Sequence, residues 1–388
     1  MKKNKIIAVI LVIIVYVIST GASYSFFSQA GFSEKKSDSA SADLKKSKSS
    51  EMMVFDETAP KTEACPLNGA LYSKEQKIWW EKHRPLGIMI ENHQEARPQS
   101  GLSHADVVYE AVAEGAITRF LAVFYCQDAG QVGPVRSART YFLDFISEYG
   151  NFPLYTHVGG ANTPGPADAL SQIEDYEWGN YNDMNQFSIG YPTFWRDYDR
   201  LGHTVATEHT MYSTTKKLWE YAKTRGLTSV DKEGSSWDEK FVSYSFKDDV
   251  PSTATQKIGL EFWNNYKDYF VSWDYDNKDN SYRRNNGGAP HLDKDNNTQL
   301  SAKNVVVLYM QESNANDGYE NNLHLLYKTK GTGKAVVFIN GKEIKGTWRK
   351  DKRTSRTLIF DNAGNPIKFN RGLIWFEILP TDGVLKVS

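Results

Sequence analysis

ADVVYEAVAEGAITRFLAVFYC, Ala105 to Cys126, is rich in valine, tyrosine and phenylalanine and is broken once, at Glu114-Gly115. β-Branched and aromatic side chains favour strand, and a glycine at the break favours a turn. The stretch therefore predicts an extended segment, a turn and a second strand over Ile117–Tyr125. A helix over Ser103–Ala113 is the competing reading, because Ser103 with Asp106 resembles a capping start.

Upstream, Glu75–His83 reads as a short polar helix stopped by Pro85, and Leu86–Ile90 as a buried strand. Downstream, Tyr141, Phe142, Phe145, Ile146 and Tyr149 fall on one face of a helix over Ser137–Tyr149. Leu154–Val158 is a strand leading into glycines and prolines, with a helix near Ala167–Ile173. Ser213 caps a further helix that Gly226 ends. From about Trp237 short β-rich runs dominate: Phe241–Phe246, Tyr269–Trp273, Val305–Met310, Ala335–Ile339, Thr357–Phe360 and Leu373–Leu379. Asn340-Gly341 between two of them is a tight-hairpin signal. The expected class is α+β, with a mixed α/β part over 61–232 and a β-rich part over 233–388.

The first 60 residues have another texture. Lys2, Lys3 and Lys5 precede an apolar run, Ile6–Ile18, broken only by Tyr16, and a softer stretch extends it to Phe27. That length suits a membrane-spanning helix, and the lysines hold its start in the cytoplasm. Residues 1–30 thus read as an anchor or, in the rival reading, a cleaved signal peptide. Either way the bulk of the chain is expected outside the membrane. No cysteine lies near this segment to carry a lipid. Residues 31–60 alternate serine with lysine, aspartate and alanine, a composition too polar to offset its ordering entropy, and read as a disordered stalk. Through Ser50 the chain holds eight lysines and three acidic residues, while the whole chain is −1. The globular part is therefore acidic, which argues against nucleic acid as a partner. Only Cys65 and Cys126 occur. An oxidising compartment favours a disulfide between them over two buried thiols.

Polar residues in apolar surroundings mark the candidate site. Glu91 directly follows a strand, Glu110 and Glu114 interrupt an apolar run, and Arg119 lies in the next strand. A buried carboxylate must be paired or protonated. Pairing of Glu110 with Arg119 or Arg139 is the structural reading, and general-acid catalysis by one glutamate the functional one. If Glu110 and Glu114 lie on a strand they are too far apart for a glycosidase pair. Gly133-Pro134-Val135-Arg136-Ser137-Ala138-Arg139 puts two arginines at a helix entry, where the macrodipole is already positive and an anion is expected between them. His157, at the end of a strand, is a candidate acid–base, followed by Gly159 and Gly160 where backbone can approach a ligand. His209 and Tyr212 form a third polar island. No nucleotide loop, zinc-protease spacing or serine-nucleophile motif occurs, so neither a metal nor another cofactor is expected.

At these segments the chain resembles the YerB-like bacterial lipoproteins, a domain-of-unknown-function family. The stretches are RPLGIMIEN (Arg84–Asn92), ARPQSGLSHADVVYE (Ala96–Glu110), EGAITRFLAVF (Glu114–Phe124), GPVRSAR (Gly133–Arg139), HVGG (His157–Gly160), RRNNGGAPHLD (Arg283–Asp293) and GKAVVFINGKEIKGTW (Gly333–Trp348). The resemblance runs from about residue 65 to 385 and implies a two-part extracytoplasmic protein. The chain departs from it in lacking a lipid-bearing cysteine, and in Ala116 where a second glycine is expected. Location and the stock of ten tryptophans together suggest a protein that binds or cleaves cell-wall glycan or its peptide stems. Arg136, Arg139, His157 and one of Glu91, Glu110 or Glu114 are expected in one cleft. A non-enzymatic binding or scaffolding module is the alternative.

Overall fold

A computed structural model describes residues 52–388. The expected anchor and all but the last residues of the expected stalk lie outside them. The part of the stalk that is described packs: the Met53 amide donates to Asp128 Oδ2 at 2.7 Å, and Phe55 meets Trp79 edge-on at 5.5 Å. Among the described residues no helix is long and apolar enough to cross a membrane.

Ten strands share one sheet. In chain order they are β1 (Leu86–Glu91), β2 (Val107–Glu114), β3 (Ile117–Phe124), β4 (Leu154–His157), β5 (Asp183–Asn185), β6 (Asn304–Met310), β7 (Gly331–Ile339), β8 (Lys342–Lys350), β9 (Leu358–Asp361) and β10 (Ile374–Pro380). Across the sheet they run β9-β8-β7-β6-β10-β2-β3-β1-β4-β5. Among the described residues the α-helices are α1 (Lys74–Trp80), α2 (Thr140–Ile146), α3 (Ala169–Asp175), α4 (Gln186–Ile189) and α5 (Thr215–Thr224).

The opening stretch folds as its composition dictates. β2 and β3 close a two-residue hairpin with Glu114 opposite Ile117. Gly115 and Ala116 both take positive φ, 54° and 66°, the twist that a right-handed strand pair requires. Ala116 thus takes the left-handed conformation that a glycine would accept without steric cost. The competing helix over Ser103–Ala113 is absent, and a single 3-10 turn, Leu102–His104, leads into β2.

The halves meet at β10, which runs parallel to β2 on one side and to β6 on the other. Parallel strands covered on both faces need continuous apolar runs, and Asn304–Met310 and Ile374–Pro380 supply them. The division at 232/233 therefore separates two textures of sequence but does not divide the sheet, and Glu51–Ser388 forms one compact unit. On one face Tyr109 stacks between Phe145 of α2 and Phe376, at 4.8 and 4.7 Å. Glu148, just beyond α2, accepts from Tyr109, Lys350 and Arg356. On the other face lies a second sheet built on Lys257–Glu261, Val271–Asp276 and Ser281–Asn286. From it Trp273 packs edge-on against Trp375 at 5.3 Å.

Some expected elements are displaced. α2 is shorter than Ser137–Tyr149, because residues 135–138 are held extended. α5 is capped by Thr214, whose hydroxyl accepts from the Lys217 amide, whereas Ser213 donates to the Thr193 carbonyl. Of Phe241–Phe246 only Phe246 is in a strand, paired with Phe369.

Cys65 and Cys126 are bonded and tie the chain ahead of α1 to the end of β3. Closing a loop of about 60 residues stabilises by about 4 kcal/mol on the chain-entropy model. Mass mapping under non-reducing conditions should find the two linked, and reduction should lower the denaturation midpoint. Two thiols that alkylate freely in native protein would contradict this.

A second expectation concerns Glu377, which faces Glu110 across the β10–β2 pair. Burial and the Glu110 charge, against the pull of Arg284, push its carboxyl well above the usual carboxylate range. The folded chain keeps a proton that the unfolded chain releases near about pH 4, so this contribution is lost as pH rises. Glu377→Gln should leave the melting temperature unchanged below about pH 4 and raise it at neutral and alkaline pH. A lower melting temperature at every pH would count against it.

Candidate functional site

Glu91 is the last residue of β1, and its carboxylate is buried where the end of that strand meets the 135–138 segment. That segment bonds to β1 through the Arg136 amide and Met89 carbonyl (2.9 Å). It also bonds to the 157–160 loop through Val158 to Arg136 (3.0 Å) and Ala138 to Gly159 (2.9 Å). These ladder bonds keep Arg136–Ala138 extended, and Arg139 is the non-helical residue preceding α2. The arginines therefore do not stand on a helix's first turn, and their anions are the protein's own carboxylates.

Two linked clusters result. In the first, Arg136 Nε donates to Glu91 Oε1 at 3.1 Å, and His209 Nδ1 lies 2.8 Å from Glu91 Oε2. Burial alone would raise the Glu91 pKa, but His209, Arg136 and Arg119 outweigh it and hold the carboxyl below its ordinary value. The imidazole in turn is pulled down by burial and raised on balance by Glu91. In the second, Glu114 accepts from Arg119 Nη2 at 3.1 Å and from Arg139 Nη2. Against burial, those two guanidinium groups bring Glu114 down to about 2. Arg119 itself is pulled down to about 10, by burial first and Arg139 second. The Nε atoms of Arg119 and Arg139 are buried without a hydrogen-bond partner.

The remaining candidates are interior. Glu110 is fully buried, accepting from Thr118 Oγ1 at 2.7 Å and from Arg284 Nη2 at 2.5 Å. The expected pairing with Arg119 or Arg139 is thus corrected: Glu110 points to the face opposite Tyr109, where Arg284 arrives from the second sheet. His157 uses both ring nitrogens, on Gly159 O and Asp183 Oδ1, each at 2.6 Å. Gly159, at φ 58°, lies under Phe187, and a Cβ on Gly160 would meet Leu170 at 2.9 Å. Tyr212 is buried beneath Arg200, whose guanidinium sits 4.9 Å from its ring centroid. The single cleft expected for Arg136, Arg139, His157 and a glutamate is not formed, because His157 and Glu110 are sealed inside.

Sequence reasoning passed over residues that the fold brings to the same rim. Phe187 in α4, over Gly159, is 75% exposed. His93 stacks on His209 at 4.7 Å, and Glu95 Oε2 lies 3.6 Å from His209 Nε2. One ligand atom each from His93, Glu95 and His209 falls within 4.8 Å of the others. The His-Gln-Glu run at 93–95 was the available signal, but its third member is more than a hundred residues away.

Fold and site together define an α+β protein stapled by one disulfide, with a rim of paired arginines and carboxylates at one end of its central strands. Family models described as the N-terminal and C-terminal domains of a protein of unknown function (DUF3048) match residues 69–228 and 258–376. The chain belongs to the YerB-like family. It is 29% identical over 333 residues to the Bacillus subtilis (strain 168) protein named "Putative lipoprotein YerB", covering 86% of this chain and 90% of that one. The crystal structure of YerB protein from Bacillus subtilis matches with a TM-score of 0.68 at 25% identity, over 84% of this chain and all of the other.

The Glu114 cluster makes a measurable claim. An acid depressed to about 2 in the fold and near about 4.3 unfolded stabilises fully above the higher value. That contribution is lost as pH falls between the two. Glu114→Gln leaves two buried arginines without their carboxylate and is expected to cost roughly 3–5 kcal/mol at neutral pH. It should also flatten the stability loss between about pH 4 and 2. Denaturant titrations across pH, with an unchanged midpoint, would show the pair to be idle.

Proposed function

We propose that this chain is an envelope-facing binding module that holds a carboxylate-bearing cell-wall polymer, glycan or peptide stem, at the rim beside the 157–160 loop. One observation carries the reading: a residue whose guanidinium is only partly engaged and a residue with an exposed aromatic ring both pack on the same short loop. Arg136 spends only its Nε on Glu91, and no acceptor among the described residues takes a hydrogen bond from its Nη atoms. Its side chain is 24% exposed, with the fork open to a ligand carboxylate. Phe187 covers Gly159 on the other side, and an exposed ring there offers a flat apolar face to a sugar.

A glycan-cleaving reading is less well supported. It requires a glutamic acid held protonated at the rim, whereas Glu91 and Glu114 are both driven toward the ionised form. Placement outside the membrane agrees with the disulfide and with the relative's name as a lipoprotein. Residues 1–30 are the proposed tether.

Sedimentation of the full-length chain with purified sacculi tests the reading. Arg136→Ala should weaken binding by roughly 1.5–3 kcal/mol, the range for a charge-assisted hydrogen bond, and Phe187→Ala by about 1 kcal/mol. Phe187→Ala should leave the melting temperature nearly unchanged, whereas Arg136→Ala and Arg139→Ala, which each take a cation from a carboxylate the fold pairs, should lower it, so the affinity of Arg136→Ala is read well below its own melting temperature. Mass spectrometry of the supernatant should find no released fragments. Sacculus binding untouched by Arg136→Ala and Phe187→Ala, or wall fragments that accumulate with time, would overturn the proposal.

A further inference from the structure

His209 is held by a buried carboxylate on one nitrogen and faces an open cluster with the other. Glu91, held by Arg136 at 3.1 Å, lies 2.8 Å from His209 Nδ1, a contact in which a neutral imidazole donates from that nitrogen to the carboxylate. In the neutral ring that places the lone pair on Nε2, which looks toward Glu95 Oε2 at 3.6 Å. Such a separation is beyond a hydrogen bond. It is close to the roughly 3.4 Å between two ligand atoms on one tetrahedral zinc ion with bonds of about 2.1 Å. His93, stacked on His209, brings a third donor within 4.8 Å of both.

We propose that His93, Glu95 and His209 form a binding site for a divalent transition-metal ion of the zinc type, with Glu91 as the outer carboxylate that orients His209. A carboxylate behind a ligating imidazole fixes its tautomer and raises its basicity, as in carboxylate–histidine–zinc arrangements. His209 is the rigid member. Glu95, 53% exposed, and the half-buried His93 close on the ion by side-chain rotation, for which His93 gives up its stack on His209 and a long 3.3 Å bond from the Glu95 amide. Two imidazoles and a carboxylate leave one tetrahedral position for water or for a donor atom of a bound molecule. Imidazole nitrogens favour zinc, copper, nickel or iron over magnesium and calcium, which prefer all-oxygen sites. The expected absence of a metal site rested on linear spacing, which does not register His209 beside His93. This inference does not depend on wall binding, because its ligands are named independently of Arg136's fork and of Phe187.

The test uses the full-length chain, solubilised in detergent, stripped with a chelator and dialysed. Calorimetric titration with Zn2+ should show one ion per chain, and Co2+ should give the visible spectrum of a tetrahedral site. His93→Ala and Glu95→Ala, both on the accessible side, should each weaken Zn2+ by at least about tenfold without lowering the metal-free melting temperature. Glu91→Gln should weaken it by about 10–100-fold, and excess Mg2+ should not compete. Failure of Zn2+ to bind, or binding equally tight in His93→Ala and Glu95→Ala, overturns the site.

Discussion

Two carboxylates that face each other inside the central sheet set the terms for everything around them. The β10–β2 register places Glu377 opposite Glu110 with no solvent to screen either. Two bare charges at that spacing in a low-dielectric interior are untenable. Arg284 answers one of them, reaching from the second sheet to Glu110 while its guanidinium lies 4.9 Å from the Trp375 ring centroid and 5.5 Å from that of Phe120. Glu377 accepts from Trp273 Nε1 at 2.8 Å and keeps its proton to higher pH. The second sheet is thereby held over the middle of the first by a polar contact that tolerates little displacement.

That constraint bears on the rim. With the interior face of β2 occupied by Glu110, the strand reaches its turn through a register shift between Val112 and Glu114. Glu114 then meets Arg119 and Arg139 at the strand's end. Glu91, across from Arg119 in the β1–β3 pairing, takes Arg136 and His209. Three arginines are thus distributed over two carboxylates, and the surplus charge sits on the one guanidinium whose fork is unspent. The same arithmetic makes Glu91 the pivot of the molecule's rim, since it steadies both Arg136 and His209.

YerB and this chain share the architecture over most of their lengths, and the two family models meet in a molecule whose main sheet takes strands from both. Neither matched segment holds all the strands of that sheet. Of the interior carboxylates, Glu110 lies within the first matched segment and Glu377 one residue beyond the end of the second.

The sequence by itself determined the local elements. Alternating and continuous apolar runs, one Glu-Gly break and one Asn-Gly pair specified the β2–β3 and β7–β8 hairpins, because turn chemistry and side-chain periodicity act within a few residues. It also determined that Glu91, Glu110 and Glu114 would be costly residues in need of partners, since desolvation is a property of the residue and its neighbours in the run. The partners were decided only by tertiary structure. Arg284 reaches Glu110 across 174 positions and His209 reaches Glu91 across 118, and no periodicity spans such distances. The helix predicted over Ser137–Tyr149 failed at its start for the same reason: ladder bonds from Met89, Val158 and Gly159 held residues 135–138 extended against their local preference. Charge pairing and sheet completion are long-range terms, and they settled which polar residues were sealed inside and which were left at the rim.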